Sequence, residues 1–283
     1  MATIGLLHPG DMGSVVGACA VAAGSRVLWA SEGRSAGSRE RAAAAGLEDV
    51  GRLAAVVAGS DVVISVCPPH AALGLARAVA ALRFSGLFVD GNAVSPATAR
   101  DIGAAVEAGG ATFVDGGLIG PPPRTAGSTR LYLSGREAKR AVALFDGSAL
   151  EAIAVGDTPG AASALKMVYA AYTKGVSALL MGVRALAASE GVDDALLAEW
   201  RRSQPDLPKR SEAAARDNAR KAWRFVGEMD ENARAFASVG LPTGFHEAAG
   251  DVYRRLGAYK DTPTPPSIAE ALAALLKRAA ADR

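Results

Sequence analysis

The stretch that decides the fold covers residues 3–17 and reads TIGLLHPGDMGSVVG. It begins apolar and strand-like, breaks at Pro9-Gly10, and continues into a helical segment rich in Ala and Val. A strand, a tight turn and a helix in this order direct the unpaired N–H groups of the first helical turn beyond the end of the strand. The usual occupant of that position is an anion, most often a dinucleotide pyrophosphate. The segment Gly10-Asp11-Met12-Gly13 is therefore the predicted phosphate-binding turn.

The glycine pattern of this turn is incomplete. In the G-x-G-x-x-G fingerprint, Gly10 lets the backbone approach the phosphates and Gly13 lets the helix pack against the strand. His8 stands where the first glycine is expected. A partial fingerprint is weak evidence alone, so the prediction depends on its position and on the segments that follow.

Composition excludes several classes of protein. The chain has 283 residues, of which 50% are hydrophobic, and a net charge of +2, which argues against bulk nucleic-acid binding. It has no stretch of about 18 uncharged apolar residues, so no membrane span is predicted. The first strand begins without a leader-like segment, which favours a cytoplasmic protein. The two cysteines, Cys19 and Cys67, lie in apolar segments and predict neither a disulfide nor a metal site.

The pattern of the chain changes once. Up to residue 158, apolar strand-like runs alternate with Ala-rich helical segments; the strand-like runs after the first cover residues 26–30, 61–67, 87–90, 112–115 and 130–134. From Pro159 onward the pattern is helical, beginning with a long helix over residues 161–191. Continuous apolar strands between helices predict a parallel sheet covered on both faces. We therefore expect a Rossmann-type, doubly wound α/β domain over 1–158 and an all-α domain over 159–283.

The segment after the second strand sets the cofactor preference in such a fold. It reads Ser31-Glu32-Gly33-Arg34-Ser35, and Ser31 stands near the position of the acid that binds the ribose in NAD enzymes. Arg34 and Ser35 offer a guanidinium and a hydroxyl, which suit a 2′-phosphate. We expect NADP(H) rather than NAD(H). Glu32 could instead bind the ribose, and Arg34 could be a solvated charge at a helix start.

Four motifs in order give the chain a family resemblance. Residues 5–13 match G-x-I-G-x-G-x-M-G, residues 90–96 match D-x-S-T-x-x-P, and residues 115–121 loosely match D-x-x-x-S-G-G. Lys166 matches a lysine that is followed four residues later by asparagine. The chain resembles the β-hydroxyacid dehydrogenase and 6-phosphogluconate dehydrogenase superfamily, in a branch with a distinctive C-terminal helical domain.

The resemblance implies an oxidoreductase that moves a hydride between NADP(H) and a carbonyl or alcohol carbon of a small molecule. Lys166 would be the general acid/base, which requires burial or a neighbouring cation to lower its pKa. Cys67-Pro68-Pro69 would lie beside the nicotinamide ribose, and Asn92 would contact nicotinamide and substrate. The resemblance also implies a homodimer in which the helical domains pack together. The further candidate substrate contacts are Gly120, Tyr169, Thr173, Lys174 and His246.

Several positions depart from the family pattern. Ala170 replaces the asparagine, Asn92-Ala93 replaces Ser-Thr, and Ile119 replaces the serine of the S-G-G segment. Gly227-Glu228 stands near a second family lysine. These changes argue against 3-hydroxyisobutyrate or 6-phosphogluconate as substrate and favour one that is less anionic or bulkier.

Other functions remain open from the sequence. An imine reductase shares the architecture but generally lacks a lysine at position 166. A non-catalytic NADP-binding protein would also fit the departures from the pattern. An S-adenosylmethionine methyltransferase has a similar first turn, but it would lack Arg34 and the helical second domain.

Overall fold

The structure is a computed structural model that describes residues 1–260 and 262–277. The chain forms two compact units, the first covering Met1–Met167 and the second beginning at Val168. The division falls inside a long helix, nine residues after the end of the first domain expected at residue 158.

The first unit alternates strands and helices. Its elements are β1 (Thr3–Leu7), α1 (Asp11–Ala22), β2 (Arg26–Trp29), α2 (Ala36–Ala44), β3 (Glu48–Asp49), α3 (Leu53–Ala58), β4 (Val62–Ser65), α4 (Pro69–Ala81), β5 (Leu87–Asp90), α5 (Pro96–Ala108), β6 (Thr112–Ile119), β7 (Arg130–Ser134), α6 (Ala138–Val142) and β8 (Glu151–Gly156). The helix starts follow the local sequence. The Ser95 hydroxyl accepts a hydrogen bond from the Thr98 N–H at the start of α5, and Pro96 occupies its first turn.

The strands form one sheet in the order β3-β2-β1-β4-β5-β6-β7-β8. This order places β1 inside the sheet, with β2 and β3 added on one side and β4 to β8 on the other, and it confirms the predicted doubly wound fold. Two details differ from the prediction. The strand over residues 130–134 runs antiparallel to β6, because residues 120–129 join β6 to β7 without a crossover helix. The edge strands β3 and β8 were not predicted, since both are largely exposed and β3 has only two residues.

Apolar residues cover both faces of this sheet. Ile4 and Leu6 point to one face, where Val16 of α1 and Phe145 pack. Leu7 and Val63 point to the other face, where α4 and α5 pack through Val79 and Ile102. The helices of each face bury continuous apolar strands, as in other doubly wound proteins.

The second unit is helical. Helix α7 (Ala161–Ser189) runs into it and is followed by α8 (Asp193–Ser203), α9 (Leu207–Asn218), α10 (Ala222–Ala237), α11 (Gly244–Arg255) and α12 (Ile268–Leu276). Met181, Met229 and Tyr253 are fully buried in its core. The buried Arg184 guanidinium bonds the Asp193 carboxylate and the Ser211 hydroxyl, which ties α7 to α8 and α9. Within residues 1–260 and 262–277, the helices are too short or too polar to cross a membrane.

Candidate functional site

The turn after β1 is left-handed at His8, the position where the fingerprint has its first glycine. His8 has a φ of 69°, a left-handed conformation that costs a side chain about 1–2 kcal/mol. A Cβ added to Gly13 would lie 2.3 Å from the His8 carbonyl oxygen. Gly13 is therefore needed for α1 to pack on this turn, whereas His8 adopts the strained position despite its side chain.

The first turn of α1 is open to a ligand. Gly10 is the N-cap and provides no side-chain hydrogen bond to the helix, so the first N–H groups of α1 have no side-chain cap. A Cβ at Gly10 would meet no atom within 4 Å, which leaves room for a close approach to the backbone. This geometry fits the pyrophosphate of a dinucleotide.

A cation lies close to this turn. Burial and then the Arg34 guanidinium lower the pKa of His8 to about 4, so the imidazole is neutral near pH 7. Arg34 also lowers the pKa of the Cys67 thiol. Burial and then the charge of Asp90 outweigh this effect and raise that pKa to about 12. The charge of Arg34 therefore reaches the ends of both β1 and β4.

The other predicted residues of the adenosine end are engaged within the protein. The Ser35 hydroxyl caps α2 by accepting the Ser38 N–H at 3.3 Å. Ser31 is buried, and its N–H donates to the Asp49 carboxylate at 3.2 Å. The Arg39 guanidinium donates to the Ser31 carbonyl at 3.1 Å. Asp49 and Arg39 thus shape this turn. Asp49 was not among the predicted residues, because its strand has only two residues.

Polar residues form a continuous row across the carboxyl end of the sheet. Pairing between neighbouring strands places Leu7, Ser65, Asp90, Asp115 and Ser134 side by side. All four polar members of this row are completely buried.

The Asn92 amide links this row to the loop after β4. Its Nδ2 donates to Asp90 Oδ1 at 2.5 Å and to Ser65 Oγ at 3.0 Å, and its Oδ1 accepts the Cys67 N–H at 2.5 Å. Asn92 is 2% exposed. The amide therefore positions the Cys67-Pro68-Pro69 loop, while its direct contact with nicotinamide or substrate stays a prediction.

The two neighbouring carboxyl groups of the row differ in environment. Burial, and then the charge of Asp115, raise the pKa of Asp90 to about 8. Asp115 Oδ2 instead accepts the N–H groups of Gly160 and Ser163 and the Ser134 hydroxyl, at 2.9–3.0 Å. Its Oδ1 accepts the Ser163 hydroxyl at 2.5 Å. Asp115 is a carboxylate that caps α7, and Asp90 is a neutral acid near pH 7.

The same contacts determine where Lys166 lies. A Cβ added to Gly117 would lie 2.8 Å from both the Ala162 carbonyl oxygen and Lys166 Cβ. The second turn of α7 therefore packs directly on β6, next to the capped first turn. Lys166 is half-buried there, as an acid/base lysine would need to be.

The remaining candidates lie on α7 and in the loop after β6, and their surroundings differ. Tyr169 is 48% exposed, whereas Ala170 is fully buried. The Thr173 hydroxyl donates to the Tyr169 carbonyl within the helix. Gly120 has a φ of 132° and no space for a Cβ, since its Cβ would lie 2.4 Å from the Ser128 carbonyl oxygen.

Two predicted substrate contacts lie inside the second unit. Lys174 Nζ lies 2.7 Å from the Glu228 carboxylate, with the two side chains 15% and 14% exposed. His246 is 3% exposed and packs edge-on against Phe236 and Phe245. Both residues have structural partners, and a role of either in substrate binding stays a prediction.

Two parts of the chain match known families. Residues 1–155 match the NAD binding domain of 6-phosphogluconate dehydrogenase. Residues 187–256 match a domain of unknown function, DUF1932. The second match lies in the helical unit and agrees with the distinctive C-terminal domain expected from the sequence.

A curated relative matches part of the chain. It is the uncharacterized 28.5 kDa protein in the 7S RNA 5′ region of Methanothermus fervidus, 32% identical over 142 residues. The match covers 50% of this chain and 54% of that protein, so the chain spans about half the length of this relative.

Solved structures match nearly the whole chain. Conserved protein MTH1747, described as structurally similar to 3-hydroxyacid dehydrogenases, is 27% identical with a TM-score of 0.67 over 91% of this chain and 98% of that one. The 3-hydroxyisobutyrate dehydrogenase of Mycobacterium tuberculosis is 21% identical with a TM-score of 0.72, over 98% and 100%. A Streptomyces aurantiacus imine reductase is 18% identical with a TM-score of 0.55, over 98% and 100%. The last two likenesses concern the fold alone.

Proposed function

The chain belongs to the family of the 6-phosphogluconate dehydrogenase NAD-binding domain, and from this premise we propose that it is an NADP(H)-dependent oxidoreductase. It transfers a hydride between nicotinamide and a carbonyl or alcohol carbon of a small molecule. The observation that carries this proposal is the packing of Lys166 on Gly117, beside the buried carboxyl end of β5 and β6.

Lys166 moves the proton in this proposal. A bound nicotinamide supplies or accepts the hydride. In the direction of reduction, Nζ of Lys166 gives a proton to the carbonyl oxygen as negative charge develops there; in the reverse direction it removes the hydroxyl proton. The capping of α7 by Asp115 and the absence of a side chain at Gly117 hold the lysine in place.

The preference for NADP(H) rests on Arg34. This residue follows β2, where the 2′-phosphate is recognised in this fold, and its charge lies close enough to the first turn to affect His8. No acidic side chain follows β2 until Glu32, which is exposed.

The substrate is less anionic or bulkier than 3-hydroxyisobutyrate. Ile119 is 4% exposed and replaces a hydroxyl with an apolar side chain. In the second unit, Glu228 stands near the expected second lysine and pairs with Lys174. Both differences reduce the positive charge and the hydrogen-bond donors available to a substrate carboxylate. Turnover of 3-hydroxyisobutyrate or 6-phosphogluconate at rates ordinary for the family would contradict this part of the proposal.

The cofactor assignment is tested by titrating NADPH and NADH against the wild type and Arg34→Ala. We expect NADPH to bind more tightly than NADH, and Arg34→Ala to weaken NADPH by about 10-fold or more while changing NADH little. Arg136→Ala, which changes an exposed arginine before α6, is the matched control. Equal binding of the two cofactors by the wild type would refute the NADP preference.

The role of Lys166 is tested with Lys166→Met. We expect kcat to fall by about 10²–10⁴-fold, as for loss of a general acid, with an unchanged Kd for NADPH. Lys139→Met, at an exposed position of α6, should leave both values unchanged. Retention of wild-type kcat by Lys166→Met would remove the lysine from the mechanism.

Reduction of a C=N bond is the second candidate. It is favoured by the buried Ala170, which takes the place of the family's amide. A panel of carbonyl and imine substrates, followed through NADPH absorbance, separates the two reactions. NADPH binding without turnover on any member would instead favour a non-catalytic NADP-binding protein.

A further inference from the structure

An arginine outside the four motifs contacts the turn between β1 and α1. Arg41 lies on α2, and its Nε donates to the Pro9 carbonyl at 3.3 Å. Its Nη1 lies 3.9 Å from Asp11 Oδ1, with the two side chains 39% and 61% exposed. The Arg41 guanidinium therefore contacts the residues on both sides of Gly10, at the place where β1 passes into α1.

The contact with Pro9 fixes one peptide group of this turn. The Pro9 carbonyl accepts the bond from Arg41, and the N–H of the same peptide group, on Gly10, donates to the His8 carbonyl at 2.8 Å. Both polar ends of the peptide group are thus bonded. The helical bonding of α1 begins directly afterwards, where the Ser14 N–H donates to the Gly10 carbonyl at 2.9 Å. The first N–H groups of α1, which its own carbonyls do not bind, therefore follow a peptide group that Arg41 holds in place.

The charge of Asp11 gives Arg41 a second effect on this turn. A pyrophosphate is negatively charged, and the N-terminus of a helix offers it the equivalent of about half a positive charge. The Asp11 carboxylate lies in the same first turn of α1 and carries a full negative charge. Arg41 offsets that charge, because its guanidinium reaches Asp11 and Pro9 together. With Arg41 the turn attracts an anion, whereas without it Asp11 opposes one.

Ser38 orients the Arg41 guanidinium. Arg41 Nη2 donates to Ser38 Oγ at 3.3 Å, one turn earlier on α2. Gly37 leaves space for the guanidinium, since a Cβ there would lie 3.4 Å from Arg41 Nη1. Ser35, at the end proposed for the 2′-phosphate, is held separately, because its Oγ accepts the Ser38 N–H as the cap of α2. Loss of the Arg41 side chain therefore leaves this cap in place.

We propose that Arg41 is a positioning residue for the pyrophosphate of the cofactor. It holds the turn that binds the pyrophosphate and offsets the charge of Asp11, and it acts equally on NADPH and NADH. This inference rests on the proposed function, since it takes a dinucleotide as the ligand of the turn. Arg34 and Arg41 then have separate roles: Arg34 recognises the 2′-phosphate of NADPH alone, and Arg41 supports the diphosphate that both cofactors contain.

Three ligands separate the roles of the two arginines in binding titrations at low ionic strength. NADPH contains a 2′-phosphate and a pyrophosphate, NADH contains only the pyrophosphate, and adenosine 2′-phosphate contains only the 2′-phosphate. For Arg41→Ala we expect the Kd values of NADPH and NADH to rise by the same factor, about 10-fold, and that of adenosine 2′-phosphate to stay unchanged. Arg34→Ala should weaken NADPH and adenosine 2′-phosphate and change NADH little. Arg77→Ala removes an exposed arginine of α4 and, as the matched control, should change none of the three values.

The pattern across the ligands decides the result. Unchanged dinucleotide binding by Arg41→Ala, or weakening of NADPH alone, overturns the proposal. Equal weakening of all three ligands also overturns it, because Arg41 would then support only the fold. In these cases the wild type still binds the cofactor and the proposed function stands. A wild type that binds neither dinucleotide would instead refute the proposed function, and this inference with it.

Ser38→Ala provides a second variant if Arg41→Ala does not fold. It removes the hydroxyl that orients the guanidinium and keeps the Ser38 N–H that caps α2. We expect a smaller rise in the Kd values of NADPH and NADH, about 2-fold and equal for both, with helix content unchanged by circular dichroism. Unchanged Kd values for both dinucleotides would overturn the proposal.

Discussion

Asp90→Asn replaces a buried acid by its neutral isostere and should change how stability depends on pH. Asp90 is completely buried and bonded by the Asn92 amide, and the neighbouring Asp115 carboxylate already caps α7. Its pKa is raised from 3.8 to about 8 in the folded protein. Between these values the folded chain holds a proton that the unfolded chain has released.

The size of the effect follows from that single proton. Where the folded state binds one more proton than the unfolded state, the free energy of unfolding falls with rising pH by about 1.4 kcal/mol per pH unit. From about pH 5 to about pH 7, Asp90 should therefore lower the stability of the wild type by about 3 kcal/mol. Asp90→Asn has no proton to lose and should lack this decline. A constant offset from packing the amide would not alter the comparison of slopes.

Urea unfolding followed by circular dichroism across this pH range measures the difference. Asp101→Asn, which changes an exposed acid on α5, should decline in parallel with the wild type. Parallel slopes for the wild type and Asp90→Asn would show that Asp90 is ionised in the folded protein, and the argument from burial and the Asp115 charge would be wrong.

Two further substitutions test the turn and the helix. Gly117→Ala should displace α7, because its Cβ would lie 2.8 Å from Lys166 Cβ. We expect a lower kcat with little change in NADPH affinity, and Gly74→Ala, where a Cβ meets nothing within 4 Å, should leave both unchanged. His8→Gly should relieve about 1 kcal/mol of left-handed strain. The pKa of His8 is lowered to about 4 in the folded protein, so between about pH 6.5 and about pH 4 only the unfolded chain binds a proton there. The wild type should therefore lose stability as the pH falls through this range, and His8→Gly should not. Thermal melts across this range measure both effects.

Local pattern was enough to predict most of the fold. The apolar runs at residues 87–90 and 130–134 became β5 and β7 with the same bounds. The change to helices after Pro159 and the long helix from residue 161 were also confirmed. These features depend on periodicity within a few residues, which a single sequence displays directly.

The direction of β7 could not be predicted from the local pattern, because it depends on how β7 pairs with β6. Fourteen residues separate the predicted runs 112–115 and 130–134, enough for a crossover, whereas β6 extends to Ile119 and leaves only the ten residues 120–129, which suit a return loop. The apolar pattern of a buried strand is the same in both directions, so only pairing with β6 resolves it.

The polar contacts of the site were the hardest features to predict. The sequence does not reveal the partner of Lys174, because that partner, Glu228, lies on a different helix, α10. The structure shows the Asn92 amide bonded to three neighbours at the sheet edge, contacts that were not predicted, while its contact with the cofactor stays a prediction. A motif indicates which residues gather at one edge, whereas the hydrogen bonds among them depend on tertiary contacts.

The Asp115 carboxylate caps the first turn of α7 by accepting hydrogen bonds from Ser163, which lies 48 positions later in the chain. The two residues are coupled, since loss of the acid leaves the N–H groups of Gly160 and Ser163 and the hydroxyls of Ser134 and Ser163 without this acceptor. In divergent descendants of this gene, replacement at position 115 should accompany replacement at position 163. An ancestral reconstruction that places the two changes on well-separated branches would show that this coupling does not constrain the lineage.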